Sequence, residues 1–112
     1  MPNDITPLTD CYPDIIKEMP DVFSSHEFIR HLMWKQQGRF VDALVLYRAD
    51  QPFRKLHARL SAKLHEMPER VTYLGHKDSP NVFGQVMGCA FWKKVGPAPV
   101  PPPDPDLPAE DR

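Results

Sequence analysis

Lys55, Arg59 and Lys63 recur every four residues in the segment PFRKLHARLSAKLHEM. Side chains four apart share one face of an α-helix, so the three cations would form a ridge. Arg54 falls on the far side of a strip made by Ala58, Ser61, Ala62 and His65. Small side chains between flanking cations suit close approach to a nucleic-acid groove, the cations meeting phosphates and the strip nearing base edges. Lys77, Lys93 and Lys94 extend this expected footprint, and Glu66 on the same ridge opposes it. The competing readings are an ordinary solvated face and an alanine strip packed on another helix.

Other reactive residues give weaker patterns. His26 and His31 are five apart. That spacing turns two imidazoles about 140° from one another on a helix, whereas the chelating pair of a zinc-protease helix is four apart. His57 and His65 are separated by about 12 Å of helix axis, too far for one ion. No metal site and no cofactor are therefore expected. Cys89 stands between Gly88 and Ala90, and a thiol nucleophile needs a neighbouring base. His76 is the available one, but nothing in the spacing requires their meeting, so Cys89 reads as a small buried residue. Glu27, Asp42, Asp50, Glu66, Glu69 and Asp78 are scattered, and no GxSxG, P-loop or GxGxxG occurs. The pattern does not predict an enzyme. Trp34 falls on the polar side of its helix, which points either to a partner or dimer contact or to a cover formed by residues 8–20.

These side chains must be positioned by a modest core. Ser24 or Ser25 caps the first predicted helix, and Ser24 with Glu27 makes a capping box. Phe28, Ile29, Leu32 and Met33 follow at helical spacing. After Gly38 the apolar set becomes Phe40, Val41, Leu44, Val45 and Tyr47, rotated by roughly a quarter turn, so Gly38 breaks the segment or bends it. Pro52 opens the next helix, whose stripe is Phe53, Leu56, Leu60, Leu64 and Met67, and Pro68 ends it. Val71–Leu74 reads as a short strand. Ser79-Pro80 with Val82, Phe83, Val86 and Met87 predicts a two-turn helix closed by Gly88, with a folded loop as competitor. Cys89–Val95 reads as a second strand.

The ends differ from the middle. Residues 1–23 carry five acids and one base, residues 24–96 twelve bases and six acids, and residues 97–112 four acids and one base. A cationic middle hints at a polyanionic partner, although the segments also balance for solubility. Three divisions follow: an acidic N-terminal arm over 1–22, a globular domain over 23–96, and a proline-rich acidic tail over 97–112. The arm either wraps the domain through Ile5, Leu8, Tyr12 and Ile15–Ile16 or stays loose. The tail favours extended polyproline II and reads as a disordered spacer. No run approaches the ~18 apolar residues of a membrane span. The N-terminus lacks the pattern of a secretory signal, and two cysteines are few for a small secreted domain. A cytoplasmic protein is expected.

The expected fold class is α+β: three helical segments and then a short two-stranded sheet, in winged-helix-like order, between flexible tails. The analogy is one of element order alone. The expected function is a small nucleic-acid-binding, regulatory domain using the basic helix. The alternative is a non-enzymatic protein-interaction or assembly module, homodimeric or built on another protein, using Trp34.

Overall fold

A computed structural model describes residues 5–95. Five helices and three strands run in the order α1 (Thr6–Thr9), α2 (Tyr12–Glu18), β1 (Val22–Ser24), α3 (Ser25–Lys35), α4 (Gln37–Leu46), α5 (Pro52–His65), β2 (Val71–Pro80) and β3 (Val86–Lys94). The sheet is antiparallel with order β1-β3-β2. The class is α+β, but with three strands rather than two. The added strand, β1, is three residues long, and no alternation that short is visible in a sequence. Its Phe23 lies opposite Trp92.

Of the two readings of the N-terminal arm, wrapping describes the structure and the flexible tail does not: the arm is part of the core. Ile5, Leu8, Cys11, Tyr12, Ile15, Ile16 and Met19 are buried together with Phe28, Ile29, Leu32, Phe40, Leu56, Leu60, Leu64 and Trp92. Proline marks the first turn of both α1 and α2, where its missing N–H costs nothing. Pro7 and Pro13 are thus helix starts. Tyr12 fixes α2 to α5 by donating its hydroxyl to the Leu60 carbonyl. Its ring meets Phe28 edge to face at 4.7 Å, and burial raises its pKa above the ordinary value. The tail over 97–112 lies outside the described residues.

α3 begins where the sequence places it. Ser24 Oγ accepts from the Glu27 amide at 3.0 Å, and Glu27 Oε1 accepts from the Ser24 amide at 2.8 Å. Ser24 is fully buried and also accepts from Ser79 Oγ at 3.2 Å. Ser24→Ala should therefore lower unfolding free energy by about 1–2 kcal/mol, read from urea melts; a change within error would remove the cap from this account. The break between α3 and α4 falls at Gln36 (φ −126, ψ 50), not at Gly38, which is helical.

A cluster of hydroxyls orients α5 and the hairpin. Ser25 Oγ accepts from Trp92 Nε1 and from Ser61 Oγ, both at 2.9 Å. His26 donates through Nδ1 to the Ser79 carbonyl at 2.9 Å. One edge of α5 is thus tied to the start of α3, and its opposite face stays open.

The helix expected around 82–87 is a hairpin turn. β2 runs on to Pro80 and β3 starts at Val86. Asn81 Oδ1 accepts from the amides of Phe83 and Gln85 at 2.9 and 3.0 Å, and Gly84 adopts φ +82. An Asx-anchored turn with a left-handed glycine overrides a helical period carried by only four apolar residues. A bulge between Tyr73 and Gly75, with Gly75 at φ +112, bends the long hairpin.

Candidate functional site

α5 starts at Pro52 after Gln51, which sits at φ 47 and ψ 59. Leu56, Leu60 and Leu64 are buried, whereas Arg54, Lys55, Ala58, Arg59, Ala62 and His65 are exposed. Ala58 and Ala62 of the small strip are therefore solvent-facing, so the packed-alanine reading does not hold, whereas Ser61 is half-buried on Ser25. Phe53 was expected in the buried stripe but is exposed. It lies at the first turn, where the core has already given way to the hairpin tip.

The helix cations differ in their partners. Arg54 Nη1 donates to Gln51 Oε1 at 3.0 Å. Lys55 pairs with Asp50 at 2.9 Å and holds that carboxyl below its usual range by a hydrogen bond. Lys63 pairs with Glu66 at 3.6 Å. Among the described residues, neither Arg54 nor Arg59 forms an ion pair with a carboxylate, although Arg54 lies near enough to Asp50 to help lower its pKa. Both observed pairs are exposed and of the kind that contributes little, so a polyanion can displace them. Arg59 and Lys63 also border a cleft of about 200 Å³ against Thr6 and Thr9 of α1.

The hairpin lysines do not join this surface. Trp92 points towards α5, with its ring 4.6 Å from that of His65. Phe91 and Lys93 alternate with it and occupy the opposite face of the strand. Lys77 lies over the Phe91 ring at 5.7 Å. Lys77 and Lys93 therefore face away from the α5 contact. Lys94 is committed elsewhere: its ammonium donates to the carbonyls of Met19 and Lys17 at 2.9 and 3.1 Å, closing the C-terminal end of α2. The expected seven-cation footprint contracts to Arg54, Lys55, Arg59 and Lys63. Strand alternation separates Lys93 from that face, whereas the engagement of Lys94 depends on the end of α2 lying beside it.

Trp34 is 72% exposed, and the described part of residues 8–20 does not cover it. It sits beside Glu18, Met19, Arg30 and His31 along a depression of about 420 Å³. His31 pairs with Glu18 at 2.7 Å, and this bond, with Lys35 nearby, lowers the Glu18 pKa.

Cys11 and Cys89 are unpaired and buried. His76 is bonded through Nδ1 to the Tyr73 hydroxyl and lies opposite Ala90 in register. Among the described residues, no three His, Cys, Asp or Glu side chains gather as a metal-binding group, and no helix is long and apolar enough to cross a membrane.

His57 lies between Phe40 and Phe53, with ring centroids 5.7 and 5.9 Å away. Burial, with His26 nearby, pushes its pKa down to about 4 from 6.5. The folded chain thus favours the neutral ring. Its contribution to stability is fully present above pH 6.5 and is lost as pH falls towards 4. Since the ring is partly exposed, we expect a loss on the order of 1–2 kcal/mol. His57→Gln should flatten the stability profile across that window, and an unchanged slope in urea melts would contradict the assignment.

No protein-family model matches the chain, and neither a curated protein nor a solved structure matches it.

Proposed function

We propose that this domain binds nucleic acid through the open face of α5, in a winged-helix-like arrangement with the β2–β3 hairpin as wing. The carrying observation is that Arg54, Lys55, Ala58, Arg59 and Ala62 face solvent together while Leu56, Leu60 and Leu64 hold the opposite side in the core. Two small residues between four cations leave room for a groove wall, and the cations reach phosphates. The order α2, β1, α3, α4, α5, β2, β3, with β1 beside β3, supports the wing assignment. The role is binding, not catalysis. A cytoplasmic setting fits two unpaired thiols.

The test is fluorescence anisotropy with mixed-sequence duplex DNA, single-stranded DNA and RNA at 50 and 200 mM salt. Retention that weakens steeply with salt is expected. No retention of any probe at low salt would overturn the proposal. A second reading, protein assembly through Trp34, is favoured by that residue's exposure. It predicts a dimer in sedimentation that Trp34→Ala abolishes, and no retention of nucleic acid.

A further inference from the structure

The first turn of α5 and the β2–β3 turn enclose a groove of about 470 Å³. This volume lies within the ~300–1,000 Å³ of small-ligand sites. Its apolar wall is Phe53, Phe83 and Met87, which are 40%, 59% and 53% exposed. Phe53 and Phe83 meet edge to face at 5.1 Å. The turn holds this wall in place, because Asn81 binds the amides of Phe83 and Gln85 through its side chain and accepts from the Gly84 amide at 2.9 Å through its carbonyl.

The polar lining is one-sided. His26, His57 and Arg54 contribute to it with three amide side chains, and among the described residues no carboxylate lines the groove. Arg54 therefore supplies the only fixed charge that the described residues give the lining. One of its five N–H donors is used by Gln51, which leaves the guanidinium able to take a carboxylate in two-point fashion. Aromatic walls select a flat ring by edge and face contacts.

We propose that this groove binds a small planar aromatic anion, its ring against Phe53 and Phe83 and its carboxylate on Arg54. The site does not depend on the domain binding nucleic acid. A second copy of the chain or a peptide would also cover apolar surface. The size of the groove and a single guanidinium beside two aromatic rings favour one compact ligand that carries both a ring and an anion.

The test titrates the full chain with 2-naphthoate, 2-naphthamide and cyclohexanecarboxylate, by calorimetry and ligand-detected NMR. We expect saturable one-site binding of 2-naphthoate and at least tenfold weaker binding of the other two. Arg54→Gln and Phe83→Ala should each weaken 2-naphthoate at least tenfold; both side chains are exposed, and an unchanged melting curve shows the variant folded. Absence of saturation, equal binding of the neutral amide, or unaltered affinity of both variants would overturn the proposal. So would ligand-free dimerisation through Phe83, which assigns the groove to a second copy.

Discussion

If α5 binds nucleic acid as proposed, replacing Lys55, Arg59 and Lys63 together by alanine should lower affinity for a mixed-sequence duplex by about two orders of magnitude at low salt. The three side chains occupy one ridge of α5, and their existing pairs with Asp50 and Glu66 are exposed. Bound phosphate would exchange one weak partner for another at Lys55 and Lys63, while Arg59 would gain one outright. Each lost phosphate contact removes about 0.9 from the slope of log affinity against log salt, so the slope should shrink by about 2.7. The control is internal. Lys77→Ala with Lys93→Ala should leave binding unchanged, because those lysines lie across the hairpin from the α5 contact. Equal losses in the two sets would show a diffuse attraction rather than a surface on α5.

Trp92→Ala should cost about 3–5 kcal/mol of unfolding free energy. The ring is 1% exposed, lies opposite both Phe23 and Tyr73 in the sheet, and touches His65 at the end of α5. Its indole N–H joins Ser25, which also receives Ser61. One truncation therefore opens a cavity between the helices and the sheet and frees a buried acceptor. A domain of this size has only about 5–15 kcal/mol in total, so the variant should lose a large share of its stability and melt at a clearly lower temperature. Trp92→Phe keeps most of the ring and loses the N–H, and should cost about 1–3 kcal/mol. Denaturant melts measure both; a loss below 1 kcal/mol for alanine would mean that Trp92 is not central to the core.

The elements that were legible in the sequence carry strong local chemistry. Ser24 with Glu27 announces α3, and Pro52 with a leucine every fourth residue announces α5 and its open cationic face. What escaped depends on contacts between distant segments. β1 exists because Phe23 finds Trp92 across the sheet. The N-terminal helices exist because Leu8, Tyr12 and Ile15 find the flanks of α3 to α5, and short helices have little stability of their own. Lys94 looked like a free cation until the end of α2 arrived beside it. The groove at Phe53 and Phe83 was hidden for a related reason, since periodicity placed both residues in buried or helical settings.

The central position of β3 has a consequence for biosynthesis. Among the described residues, the middle strand of the sheet is the last element translated, and both of its neighbours precede it. Until residues 86–94 emerge from the ribosome, β1 and β2 present bare edges, and the hydrophobic faces of the earlier helices lack their lid. A chain cut short before Val86 is thus more than a destabilised version of the protein. It carries unsatisfied strand edges of the sort that recruit chaperones or aggregate, so frameshifts and early stops in this region should yield material cleared by proteolysis.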